Sequence, residues 1–245
     1  MYLTNRQRDD GFGAQLQGLI YTIMFAECNN YPFAYSNIKK IDHNYENITN
    51  FVEDLENYIN IKNNYINASS IDSSSVIEIP DGKEYVYMAI NTDKVLESPQ
   101  FKNLKTIIYK NKKSPFTKDT FNIAIHIRKF NKCDNRTSSM APYTNQYYVK
   151  LINNLREFFI YINKPILFHI YSQGALEEFH ELEMESVLFH LNESIQDTFN
   201  GFLFADLLVT GPSSFSYVAG LLTDSDVIYV PFDQHGPCKK WRIYR

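Results

Sequence analysis

Asn122-Ile123-Ala124-Ile125-His126-Ile127-Arg128-Lys129 is the stretch that decides the fold class. An apolar strand pattern runs straight into a His-x-Arg pair and then into a polar loop. Parallel strands buried on both faces read as short apolar runs, and ligands of α/β sheets collect where such strands end. His126 and Arg128 are two residues apart, so an extended backbone sends both side chains to the same face. A guanidinium fixed at a strand's carboxyl end suits a phosphate, because its planar fork donates two parallel charge-assisted hydrogen bonds. The competing reading is a surface ion pair, which contributes little.

Outward from this strand, over 121–127, the pattern becomes regular. A polar loop at 130–143 leads to a helix over 144–163, with Tyr148, Leu151, Ile152, Leu155, Phe158 and Phe159 on its buried side. A strand at 165–171 ends in Ser172-Gln173-Gly174, and a short acidic helix follows at 175–182. Then come a strand at 186–191, a helix at 193–204, a strand at 205–210, a helix at 215–222 and a last strand at 226–230, closed by Pro231. Strands alternating with helices predict a parallel sheet covered on both faces.

The amino-terminal half is less regular. Residues 1–4 read as a strand, Asp9-Asp10-Gly11-Phe12-Gly13 as a turn, and 14–27 as a helix with Leu16, Leu19, Ile20, Ile23 and Met24 on its buried stripe. Gly11 and Gly13 let the backbone approach a ligand at the helix amino terminus, where free N–H groups favour anions or hydroxyls. An ordinary strand-to-helix turn is the open alternative. Beyond residue 29 the text is rich in Asn, Tyr and Ile, with a helix expected over 50–58 and a loop over 69–75. Residues 84–90 alternate like a strand, and a helix is expected from Pro99 to Tyr109. A boundary near Ser114-Pro115 predicts two domains, 1–115 and 116–245.

Composition excludes several classes. The 245 residues are 44% hydrophobic and carry a formal charge of −4, with no basic stripe for nucleic acid. Cys28, Cys133 and Cys238 are odd in number and far apart, which favours a reducing compartment over a disulfide framework. No apolar run approaches the about 18 residues of a membrane span. The expectation is a soluble cytoplasmic enzyme of a microbe or virus, or one whose anchor has been removed.

The turn Thr210-Gly211-Pro212-Ser213-Ser214 follows a buried strand and opens a helix. Its hydroxyls and helix N–H groups suit a diphosphate, and an ordinary Ser cap is the alternative. Neither a Gly-x-Gly-x-x-Gly series nor a Gly-Lys-Ser/Thr phosphate loop occurs.

Four segments together resemble the fucosyltransferase superfamily, which includes α1,2-, α1,6- and protein O-fucosyltransferases. Asp10-Gly11-Phe12-Gly13-Ala14-Gln15 resembles its Gly-x-Gly-Asn-Gln loop, and His126 to Lys132 its His-x-Arg-Arg-x-Asp(-Lys) motif. Ile170-Tyr171-Ser172-Gln173 resembles a strand ending in Ser-Asp, and Ala205 to Ser216 the final Ala-Asp-x-x-Val-x-x-x-Ser-Ser motif. The order and spacing of the segments are more specific than any one of them.

The resemblance implies the GT-B architecture, two Rossmann-like domains facing each other across a cleft. Residues 1–115 would be the acceptor-side domain and 116–245 the donor-binding domain. It implies an inverting, metal-independent glycosyltransferase with no cofactor. The donor would be a nucleotide sugar, GDP-fucose by family default or another such as a UDP-sugar, and the acceptor an oligosaccharide or glycoprotein. Arg128 would grip the pyrophosphate, with His126, Lys132, Ser213, Ser214 and the adjoining Phe215 around the nucleotide diphosphate. Gly11, Gly13, Gln15 and Ser172 complete the donor-binding set through their motifs. Asp10 and Asp134 are candidate general bases, and Asp197 a candidate partner of the base or ribose, against a helix-dipole role.

The sequence departs from the pattern in three places. Ala14 stands for Asn, Lys129 for the second Arg and Asn131 for the motif Asp. A catalytically inactive nucleotide- or sugar-binding relative is therefore a second reading. An α/β hydrolase with Ser213 or Ser214 as nucleophile is a third, without the Gly-x-Ser-x-Gly elbow. His169 reads as a buried core histidine, and His235 as a residue lining the cleft or capping the chain end.

Overall fold

The computed structural model describes residues 1–44, 46–79, 82–129, 143–232 and 235–244. It divides into two compact units, Met1–Lys112 and Lys113–Arg245, and every strand pairing in both is parallel.

Unit 1 comprises β1 (Tyr2–Thr4), α1 (Phe12–Cys28), β2 (Phe33–Tyr35), α2 (Phe51–Ile59), β3 (Ile66–Asn67), β4 (Val76–Glu78), α3 (Lys83–Glu97) and α4 (Pro99–Tyr109). Its sheet has the order β3-β2-β1-β4. The expected stripe of α1 is buried, and so are Gln15, Gln17, Tyr21 and Thr22. The helix is thus covered on most of its circumference, as its mostly apolar sequence requires. Its polar side chains find local partners: Thr22 Oγ1 donates to the Gly18 carbonyl at 2.9 Å.

The strand expected over 84–90 is not formed, because these residues lie within α3. Glu84, Met88 and Val95 are buried while Val86 and Ile90 are exposed, which is a helical spacing. A short alternating stretch fits either period, and the decisive cue lay downstream. No breaker interrupts the segment until Ser98-Pro99, where the Ser98 hydroxyl caps α4 by accepting from the Phe101 N–H at 3.1 Å.

Unit 2 comprises β5 (Phe121–His126), α5 (Asn145–Phe158), β6 (Ile166–Ser172), a 3-10 helix (Leu176–Leu182), β7 (Val187–Leu191), α6 (Ile195–Phe204), β8 (Leu207–Val209), α7 (Ser214–Leu222), β9 (Asp226–Tyr229) and β10 (Arg242–Ile243). The order is β10-β9-β8-β5-β6-β7. Ile123 and Ile125 of β5, Phe168 and Ile170 of β6 and Val209 of β8 share a core with Tyr148, Leu151, Ile152 and Leu155 of α5. Fully burying such side chains stabilises by about 1.5–3 kcal/mol each. Three expectations need correction, the first being that Phe158, expected on the buried side of α5, is exposed. α5 ends at Phe158 rather than at 163, since Ile160 and Tyr161 are exposed and have no core to join. The segment expected as a short helix at 175–182 is a 3-10 helix, burying Phe179 and Leu182.

The two sheets share one chain path. In unit 2 the chain runs from β5 to β6 and β7 on one side, then returns to place β8 on the other side of β5. In unit 1 it runs from β1 to β2 and β3, then places β4 on the other side of β1. Each sheet therefore has a topological switch point, between β5 and β8 and between β1 and β4. Ligands of open α/β sheets bind at such points, outside the carboxyl ends of the strands.

Candidate functional site

At the switch point of unit 2, β5 ends in His126 and β8 is followed by Thr210-Gly211. The two chains pass so closely that a Cβ on Gly211 would lie 2.6 Å from the His126 carbonyl oxygen and 3.0 Å from its Nδ1. Only glycine fits there. The Gly211 N–H donates to Ser216 Oγ at 3.0 Å, and Ser216 Oγ lies 2.8 Å from His126 Nδ1. Ser216 Oγ also lies 3.4 Å from the Gly211 carbonyl oxygen, so one hydroxyl holds the turn against the imidazole. His126 is buried against the rings of Phe202 and Phe215. Burial, with the nearby charge of Arg128, pushes its pKa down to about 3. The imidazole is therefore neutral near pH 7. It clamps the turn to the strand and contributes no positive charge.

Arg128 lies half-buried just beyond β5. Lys129 is directed to the 3-10 helix, with Nζ 3.4 Å from Glu178 Oε2 and 4.8 Å from the centroid of the Phe179 ring. Ser172, at the end of β6, donates its hydroxyl to the Ile127 carbonyl at 2.8 Å and so ties β6 to the β5 exit. Ser213 caps α7, accepting from the Phe215 N–H at 3.2 Å. Ser214 Oγ lies 3.1 Å from His235 Nε2, and the His235 ring packs on Tyr217 at 4.7 Å. Phe215 stacks on Phe199 at 5.5 Å. His126, Arg128, Ser172, Ser213, Ser214 and Phe215 thus all lie at or just beyond the carboxyl edge of one sheet.

Asp197 lies in the first turn of α6, which follows β7 at the same carboxyl edge. Its N–H donates to Ser194 Oγ at 3.0 Å, and its Oδ2 accepts from the same hydroxyl at 2.7 Å. The carboxylate is part of a helix cap. The triplet Asp224-Ser225-Asp226 leads into the amino end of β9, away from the strand ends just described. Among the described residues no group of three His, Cys, Asp or Glu side chains is placed to hold a metal ion.

The remaining candidates belong to unit 1. Asp10 Oδ2 is 2.5 Å from Arg8 Nε. A Cβ on Gly11 would lie 2.5 Å from His43 Nδ1, so a larger residue there would have to displace the His43 side chain. Gln15 Nε2 donates to the carbonyls of Arg8 at 2.7 Å and Lys40 at 2.8 Å, folding the loop over the start of α1. Gly13 is buried in the first turn of that helix. Lys132 and Asp134 lie outside the described residues. Sequence reasoning missed Ser216 and Gly211 as clamp residues. The available signal was Ser216 three positions after Ser213, one helical turn into α7.

No protein-family model and no curated protein sequence matches the chain. Solved structures similar to it include the α-1,6-fucosyltransferase NodZ soaked with GDP-fucose, at 10% identity over 96% of this chain and 97% of that one, with a TM-score of 0.45. The fucosyltransferase NodZ from Bradyrhizobium is similar at 9% identity over 91% and 93% of the two chains, TM-score 0.43. The E. coli heptosyltransferase WaaC with ADP-2-deoxy-2-fluoro heptose is similar at 9% identity over 100% and 92%, TM-score 0.48. No described helix is long and apolar enough to cross a membrane.

Proposed function

We propose that the chain is a glycosyltransferase whose unit 2 holds the diphosphate of a nucleotide-sugar donor. One observation carries the reading: Arg128, the Ser213-Ser214 pair and the start of α7 all adjoin the β5/β8 switch point. A guanidinium, two hydroxyls and a helix amino terminus are the groups a diphosphate requires. They also stabilise the charge that grows on a departing nucleoside diphosphate, and fixed dipoles do so without reorganising. The order of the four sequence motifs supports the same reading. In it a sugar passes with inversion to a glycan hydroxyl, without a metal, and GDP-fucose is the first donor to test.

A second reading, a relative that binds nucleotide without transfer, is favoured by the contacts of Lys129 with Glu178 and of Asp10 with Arg8. In both cases a charged side chain of a resembled motif is turned to a structural partner.

The test is a thermal-shift panel of GDP, UDP, GDP-fucose and several UDP-sugars on wild type and Arg128→Ala. Ligand at 100 times its Kd adds about 2.7 kcal/mol of stability. A shift with one nucleotide family, lost in the variant, supports the diphosphate site. Donor turnover in the presence of glycans then separates the transferase from the inactive relative. No shift with any nucleotide overturns both.

A further inference from the structure

Unit 1 carries a pocket of its own at its switch point. Loop residues Arg6 and Arg8, just past β1, face Glu84 and Tyr85, at the start of the helix that follows β4, with Gly18 of α1 between them. The cavity is about 160 Å³. A cavity of about 150 Å³ holds one six-membered ring. The walls mix apolar surface from Leu19 and Ile38 with a few polar groups. Arg8 is held from two sides, by Asp10 at 2.5 Å and by the Tyr85 hydroxyl, which accepts from Nη1 at 2.7 Å. A Cβ on Gly18 would come within 3.1 Å of the Tyr85 hydroxyl, so glycine keeps this wall clear.

Glu84 breaks the pattern of satisfied groups. It is 8% exposed, it lines the pocket, and among the described residues its Oε2 has no hydrogen-bond partner. Arg8 is paired with Asp10, and Arg6 lies 4.0 Å from Glu78. Among the described residues Glu84 has no ion-pair partner. A buried carboxylate without a partner is costly, and the cost is relieved by a charged N–H donor. Tyr85 adds a hydroxyl and an aromatic face, a pairing suited to a ring that is apolar on one side and polar at its rim.

We propose that this pocket binds a single sugar ring bearing a free amine, with the ammonium on Glu84 and ring hydroxyls on Arg8 and Tyr85. The assignment deepens the glycosyltransferase reading, and it rests on that reading only in making the ring part of an acceptor.

The experiment is saturation-transfer NMR and calorimetry on the full chain with glucosamine, N-acetylglucosamine and glucose near neutral pH. Expected is binding of glucosamine at least tenfold tighter than of the other two. Glu84→Gln, which keeps the shape and removes the charge, should erase that preference, and Tyr85→Phe should weaken all three sugars. Melting curves verify that both variants are folded. Equal binding of the three sugars, a preference unchanged in Glu84→Gln, or no binding of glucosamine overturns the proposal. A chain that answers to nucleotide but not to glucosamine loses this pocket assignment and keeps the transferase reading. The reverse result keeps the pocket and removes the transferase.

Discussion

Ser216 Oγ stands 2.8 Å from His126 Nδ1, and this contact joins the end of β5 to the first turn of α7. It also fixes the turn whose hydroxyls are assigned to the diphosphate. Ser216→Ala would leave the buried imidazole nitrogen and the Gly211 N–H without their shared partner. Leaving buried polar groups unpaired costs about 1–3 kcal/mol each. The urea midpoint should fall accordingly, and an unchanged midpoint would show that the clamp contributes nothing. Gly211→Ala should be worse, because its methyl would meet the backbone carbonyl of His126 rather than a movable side chain.

The contact between Ser214 and His235 distinguishes a phosphate contact from a nucleophile. Under the transferase reading, Ser214→Ala stays folded and binds nucleotide roughly tenfold more weakly, about 1.4 kcal/mol. A fluorophosphonate should then leave wild-type Ser214 unlabelled. Mass-spectrometric detection of an adduct on Ser214 would instead make the 3.1 Å Ser-His pair a hydrolytic dyad.

Two buried histidines predict an acid-labile fold. The Asn122 amide is oriented by its N–H donation to Asp206 at 3.4 Å and to the Thr120 carbonyl at 3.3 Å, so its oxygen faces His169 Nε2 at 3.1 Å. His169 Nδ1 then accepts from His190 Nε2 at 2.9 Å. Burial and His190 push the His169 pKa down to about 4, while that of His126 falls to about 3. Both begin from 6.5, so below pH 6.5 the unfolded chain takes up protons that the folded one refuses. Stability from these groups is complete above pH 6.5 and is lost as pH falls toward 4 and then 3. The melting temperature should decline between pH 6.5 and 4.5, above the range of most carboxylates. A flat profile there would contradict the burial of both rings.

In unit 1, Glu56 is a buried hub. Its Oε1 accepts from the Tyr35 hydroxyl at 2.5 Å and from the Ile38 N–H at 2.8 Å. Burial and the carboxylate both drive the Tyr35 pKa upward, so the phenol stays protonated and donates. Tyr35→Phe removes one bond and leaves Glu56 paired to the backbone, at about 1 kcal/mol. Glu56→Ala strands two donors and should cost at least twice as much. Chemical denaturation of the two variants gives the order, and the reverse order would refute the hub.

Legibility differed between the halves for a physical reason. The strands of unit 2 are nearly continuous apolar runs, because helices cover both faces of a parallel sheet, and such runs are readable without an alignment. In unit 1 the strands have three residues or fewer, too short for any period to emerge. For the same reason, alternation over seven residues of α3 imitated a strand. Of the candidate site, the residues on motifs were visible, but their partners were not. His126 read as a phosphate ligand and sits neutral on Ser216. Lys129, which stands for the motif's second Arg, pairs with Glu178.

By itself, the order of apolar runs and turns determined that this chain builds parallel α/β structure, and it singled out Arg128 and the Ser213-Ser214 turn. Those are local properties, set by side-chain period and by what a helix start tolerates. Only the tertiary structure decided which strand lies beside β5, which side chains meet across that junction, and that Glu84 is buried at the second switch point with its Oε2 unpartnered among the described residues. Strand order and burial depend on contacts between residues far apart in the chain, and a local pattern contains no information about them.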